Sequence, residues 1–413
     1  VVTDDTLSGK TLLALGAMGL AVLIIANDFT AFSVAIPAME KDFHADVADV
    51  QWVINAYALV FGVFIVTGGR LADMFGRRRL FFMGTAIFAA FSLAAGFAPN
   101  LATLIVARGL MGIGGAIMWP AILGMTYELL PASKAGFAGG LILGAAGFGN
   151  AIGPMIGGLL TDALSWRWIF FVNLPIAALG AGATWLFVDR DAGDSSEERV
   201  DYAGVTTVTV GLVALLLALD TSTDWGWSSG KVIALVTVAV VLLLAFGVIE
   251  YRSGSHALIP STVVRNRDFV APCAAVLLVS AVFFAVLLYV PQFMIVVLHF
   301  SPLRAGAGLL PMMVVFAIVS FAAGSLYQRL GPRFTVATGA ACLTIGILLL
   351  AFISPTDRYD DLLPGLIILG IGVGLFYSSV TTAGVTALDP PRPAWPAASS
   401  TCARWPEAPS GSV

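Results

Sequence analysis

Charge is what this 413-residue sequence has least of. Only 11% of its residues are Asp, Glu, Lys or Arg, while 59% are hydrophobic and the mean hydropathy is +0.94. A soluble domain carries roughly 25% charged residues. The chain therefore has too little polar surface to cover a water-soluble globule, and its solvent must be lipid. Cysteine is scarce as well: Cys273, Cys342 and Cys402 lie far apart without metal-ligand spacing, which argues against a zinc site or a disulfide framework. Three histidines with no HExxH or GxSxG pattern give an enzyme reading little to stand on, and neither a cofactor nor a metal is expected. There is no basic cluster of the kind that binds nucleic acid, and the net charge of -4 decides nothing, because in membrane proteins the placement of charge outweighs its sum. The first apolar run is too long for a signal-peptide core and lacks a convincing cleavage site, so it reads as a retained span.

What is present is a series of apolar runs. Polar punctuation divides the chain into twelve candidate helices: 11–38, 51–71, 80–98, 101–125, 135–160, 168–188, 203–221, 231–250, 269–297, 304–327, 334–354 and 361–384. At roughly 20 apolar residues per span, the expectation is an all-α polytopic membrane protein. Orientation follows from the bias of lysine and arginine. With the N-terminus inside, the cytoplasmic segments collect Lys10, Arg70, Arg77, Arg78, Arg79, Lys134, Arg190, Arg199, Arg252, Arg265, Arg267, Arg329 and Arg333. The outer loops hold only Lys41, Arg167, Lys231, Arg304 and Arg358, so the count of thirteen against five favours a cytoplasmic N-terminus. Trp52, Trp166, Trp168, Trp225 and Trp227 fall at the predicted outer ends, where indole rings anchor at the interface.

A weak internal repeat sets the expected architecture. Gly69, Leu71, Gly76 and Arg78 follow the second helix, and Gly324, Leu326, Gly331 and Arg333, with Arg329 between them, follow the tenth. Both share G-x-L-x-x-x-x-G-x-R at the same end of a helix. A simple pair of six-helix repeats would place the second copy after helix 8. Its position after helix 10 implies two inserted helices. The expected organisation is an N-terminal bundle over 1–188, an acidic linker over 189–202, the inserted pair over 203–250, a connection over 251–268, an incomplete four-helix second bundle over 269–384, and an aberrant tail over 385–413. That tail has six prolines and no apolar run. Reading Trp395 to Val413 from one nucleotide earlier with GC-rich codons gives an apolar, glycine-rich segment, so a frameshift is expected there.

The run from Gly69 through Asp73 and Gly76 to Arg77 and Arg78 resembles the loop signature of the major facilitator superfamily. The glycines are expected to permit a tight turn, the arginines to hold it at the cytoplasm, and Asp73 to form a latch that breaks on each cycle. Asn27, Asp28 and Thr30 running on to Pro37, Gln51 and Trp52 through Tyr57, and Trp166 to Pro175 resemble the fourteen-helix drug:proton antiporters of that superfamily. About twelve of those fourteen helices are then present. Asp28 is the acid most clearly inside a span, a costly position that by default serves a function. It lies roughly 13 Å below the outer surface, counted from Pro37, and Arg108 in the fourth helix lies roughly 11 Å deep at the same rise per residue. The two can pair if helices 1 and 4 are neighbours, as the resemblance implies. Burial raises a carboxylate's pKa and a nearby cation lowers it, so such a pair suits proton coupling.

Gly149, Gly153, Pro154, Gly157 and Gly158 form a stripe that permits close helix approach, with a proline that kinks the helix. The resemblance reads it as the antiporter motif of the fifth helix. It implies export of amphipathic, often cationic, organic compounds in exchange for protons, by alternating access across the bacterial inner membrane. The expected partners are that small molecule, protons and the bilayer; a periplasmic adaptor is left open. Two rival readings remain: a dedicated exporter of a self-made metabolite, and a non-transporting remnant.

Overall fold

The computed structural model describes residues 8–130, 135–189, 202–253, 266–354 and 358–388. Its long helices follow the twelve apolar runs. They are α1 Gly9–Thr30, α3 Val47–Phe75, α4 Arg77–Gly96, α5 Leu101–Glu128, α6 Ala135–Ala163, α7 Trp168–Phe187, α8 Tyr202–Trp225, α9 Gly230–Ser253, α10 Arg267–Val296, α12 Leu310–Leu330, α13 Pro332–Ala351 and α14 Tyr359–Leu388. Short helices α2 Ile36–Phe43 and α11 Pro302–Gly308 join them. Among the described residues ten helices are long and apolar enough to cross a membrane. The chain is a multi-pass membrane protein.

Local chemistry fixes the ends of these helices. Ser8 and Asn100 accept hydrogen bonds from the backbone N–H groups of Thr11 and Thr103, capping α1 and α5. Two helix junctions are single glycines: Gly76 between α3 and α4 has φ 94°, and Gly331 between α12 and α13 has φ 81°. That left-handed region favours glycine because it lacks a Cβ. The two copies of the loop pattern thus build the same turn. The first apolar run is not one straight helix. It passes through a 3-10 turn at Ala31–Val34 before α2, where Pro37 occupies the first turn.

Two apolar clusters divide the buried interior. One gathers side chains of α1 to α7, and the other those of α10 to α14, joined by Val34 and Ala151 from the first half. α8 packs along α9 and touches α3. Leu244 and Leu277 are 66% and 71% exposed, which suits a lipid-facing surface rather than a watery one.

One interfacial tryptophan is misplaced by the sequence reading. Trp166 is buried, because its indole N–H donates to Asp42 at 3.2 Å and its ring packs on Phe43 and Phe170. Trp168, Trp225 and Trp227 are exposed. The expectations for Lys134, Arg190, Arg199, Arg265, most of the linker and the tail from residue 389 fall outside the described residues.

Candidate functional site

In the middle of the first half, α1 brings Asp28 against Arg108 of α5, and both side chains are fully buried. Arg108 Nη1 donates to Asp28 Oδ2, Nη2 to the Asp28 carbonyl at 3.4 Å, and Nε to the Val53 carbonyl at 2.7 Å. The guanidinium lies over the rings of Tyr57 and Phe32, 4.4 and 4.5 Å from their centroids. Cation–π contact of this kind strengthens when water is excluded. The other carboxylate oxygen of Asp28 accepts from Asn173 Nδ2 at 3.0 Å. Asn173 also reaches Ser92 Oγ at 3.2 Å, and Ser92 donates to the Phe170 carbonyl at 2.9 Å. Side chains of α5 and α7 thus hold the α1 carboxylate directly, and α3 and α4 support them through Val53, Tyr57 and Ser92. The Tyr57 hydroxyl is buried beside the pair without a hydrogen-bond partner.

The depth count that pointed to Asp28 and Arg108 meets their actual pairing. It passed over Asn173 and Ser92, although Asn173 is the sixth residue of α7 and lies roughly 9 Å in at the helical rise. The same count applied to every polar residue within a span would have found both.

The glycine stripe of α6 grips the first apolar run from Leu23 to Ala31, on both sides of Asp28. A Cβ on Gly149 would stand 2.7 Å from the Leu23 carbonyl oxygen, while one on Gly153 or Gly157 would collide with Thr30 Oγ1 or the Ala31 carbonyl. Pro154 has no N–H, so the carbonyl four residues earlier, on Asn150, loses its helical partner. The Thr30 hydroxyl meets that carbonyl at 3.1 Å. Proline and glycine together therefore build a polar clasp between α6 and the helix that carries Asp28. Gly158 faces the other half, where a Cβ would collide with the Pro302 carbonyl; reciprocally, a Cβ on Gly306 would collide with the Pro154 carbonyl.

At the Gly76 end, Arg77 reaches Glu128 of α5 at 2.6 Å and Asp73 at 3.4 Å. Arg78 donates to the Trp185 carbonyl at 3.0 Å, tying α4 to α7. Lys10 bridges to Asp189 at 2.8 Å, and that hydrogen bond holds the Asp189 carboxyl below its usual range. Glu128 was not foreseen. Gly69 does not take part in the turn: it lies inside α3 with ordinary room for a methyl group, and the tight approach falls on Gly68, against the Ala116 carbonyl. In the second copy Gly331 makes the turn, Arg329 and Arg333 are exposed, and Gly324 lies within α12. At the opposite end, Arg167 pairs with Asp42, and this hydrogen bond lowers the Asp42 pKa.

Between the halves lies a cavity of about 320 Å³, bounded by α1, α3, α5 and α6 on one side and α10, α12 and α14 on the other. Phe29, the residue after Asp28, faces it and comes within 6.0 Å of Phe284 across the seam.

The family model of the Major Facilitator Superfamily matches residues 18–394. The chain is 33% identical over 378 residues to multidrug resistance protein Stp of Mycobacterium tuberculosis (strain CDC 1551 / Oshkosh), covering 91% of this chain and 70% of that protein. It is 34% identical over 360 residues to puromycin resistance protein pur8 of Streptomyces alboniger, covering 86% and 71%. Among solved structures, a POT family transporter in complex with 5-aminolevulinic acid superposes with TM-score 0.65 at 14% identity, covering 90% of this chain and 84% of that one. That likeness speaks for the fold alone.

Proposed function

The chain belongs to the major facilitator superfamily, and from that premise we propose that it exports amphipathic organic compounds, drugs among them, in exchange for protons. The setting is the bacterial inner membrane, with the N-terminus in the cytoplasm. The names of the similar proteins, which speak of multidrug and puromycin resistance, support the substrate class. The lysine and arginine bias supports the orientation. The two apolar clusters support reading 1–188 and 269–384 as the two halves, with 203–250 as an inserted pair.

The observation that carries the reading is the fully buried Asp28–Arg108 pair beside a cavity that both halves line. A proton arriving on Asp28 cancels its charge and leaves Arg108 without its counter-ion. The pairing of α1 with α5 then weakens. Because α6 clasps α1 at Thr30 and meets α11 through Gly158 and Gly306, a shift of α1 is passed to the other half. Substrate leaving the cavity and a proton reaching Asp28 become steps of one cycle. The loop at Gly76, where Arg77 meets Asp73 and Glu128, is the latch that breaks on each cycle, while Arg78 ties α4 to α7.

The test is Asp28→Asn in membrane vesicles with an imposed proton gradient. Substrate-dependent proton movement should vanish while substrate binding persists. Unchanged proton-driven export by the variant would refute the assignment.

A further inference from the structure

The cavity is aromatic, and among the described residues no charged side chain lines it. Of the thirteen described residues that line it, seven carry aromatic rings, and the rest are Ala26, Ala146, Gly147, Asn150, Ser320 and Ser378. Two polar atoms on its wall, Asn150 Oδ1 and Ser320 Oγ, are buried without a hydrogen-bond partner. The Tyr377 hydroxyl is already engaged with Ser280. The acid nearest in sequence, Asp28, is out of reach: both of its carboxylate oxygens are held by Arg108 and Asn173, in the bundle interior.

A permanent organic cation entering this space would give up its hydration without gaining a counter-charge. Ring faces could offset part of that loss, yet the rings are largely turned on one another. Phe61 meets Phe29 and Trp119 edge-on, and Phe283 meets Phe284 in the same way. A fixed cation, Arg108, lies on Tyr57, which packs in turn on Phe29. An uncharged flat molecule meets none of these costs. It slides between ring edges, and the amide of Asn150 and the hydroxyl of Ser320 offer it both donor and acceptor capacity. A volume of about 320 Å³ lies at the compact end of the range for drug-sized sites, roughly 300–1,000 Å³.

From this lining we infer that the cavity selects compact, uncharged, planar aromatic compounds bearing a hydrogen-bonding group, and that permanent cations are poor ligands; the inference rests on reading this cavity as the transport site. It departs from the often-cationic substrates that the sequence resemblance implies.

The test uses the full chain in lipid nanodiscs, titrated with Nile red, an uncharged planar dye, and with ethidium, a planar permanent cation. Nile red should bind at least tenfold more tightly than ethidium, and Trp119→Ala and Phe61→Ala should weaken it at least tenfold. Asn150→Asp, which adds a carboxylate to the wall, should invert the order by tightening ethidium at least tenfold. Ser320→Asp serves the same end where the first variant does not fold. Ethidium binding as tightly as Nile red, while still depending on Trp119, overturns the substrate class but keeps the site. Binding of neither dye, or binding of both that ignores Trp119 and Phe61, overturns the site and the class together.

Discussion

The coupling role proposed for Asp28 and Arg108 comes with a structural one, since both charges sit where water cannot reach them. Removing one partner of such a pair strands the other, at a cost of about 3–5 kcal/mol. Asp28→Asn should therefore lower thermal stability in detergent as well as abolish coupling. The double variant Asp28→Asn, Arg108→Met separates the two roles: it should recover most of the stability and none of the proton movement. Recovery of coupling in the double variant would show that the pair serves structure only. A second residue-scale test lies outside the membrane, at Asp42. Its hydrogen bond from Arg167 depresses the carboxyl pKa in the folded state. A depressed carboxylate contributes stability that is present above the unfolded value, about 3.9, and is lost as pH falls through the lower folded value. Asp42→Asn should thus lower the melting temperature slightly and equally at pH 7 and pH 5, the pair being partly exposed. The difference should shrink below about pH 4. A difference that stayed constant down to pH 3 would exclude the charge pair as its cause.

At the scale of elements, the clasp between α1 and α6 depends on a missing hydrogen bond. Pro154 frees the Asn150 carbonyl and Thr30 satisfies it. Thr30→Val leaves that carbonyl unpaired and should cost about 1–3 kcal/mol. In a Pro154→Ala background the restored N–H can take over the carbonyl, so the same Thr30→Val change should cost much less. Chemical denaturation of the four proteins gives the coupling energy directly, and strict additivity would contradict the clasp. The proline and glycines of α6 were legible in the sequence as a motif. What they touch was not, because the stripe shows which face is smooth and says nothing of the hydroxyl that lies on it.

For the whole molecule, the seam at Gly158 and Gly306 is a close backbone contact between the halves. A leucine at Gly306 must displace the Pro154 carbonyl, an overpacking that costs about 1–3 kcal/mol and that the halves can relieve by separating at that end. Spin labels placed on Leu164 and Arg304, with the native cysteines replaced, should report a longer distance in Gly306→Leu, together with slower export. An unchanged distance would mean that the seam yields locally and takes no part in the rocking of the halves.

The membrane class, the run of twelve helices and the glycine turns at Gly76 and Gly331 followed from the sequence itself. Each rests on a local quantity: apolar length, or a backbone angle that only a residue without a Cβ adopts readily. Even the Asp28–Arg108 pairing was within reach, because their two depths agree and the family resemblance makes the two helices neighbours. Rotation about the helix axes was not available by counting. It decides that Trp166 turns inward to Asp42 and that Asn173 reaches the carboxylate. It also makes Gly68, rather than Gly69, the point of close approach. Neighbouring residues on a helix point about 100° apart. That is why Asp28 faces an arginine inside one half while Phe29, the next residue, faces the cavity between the two.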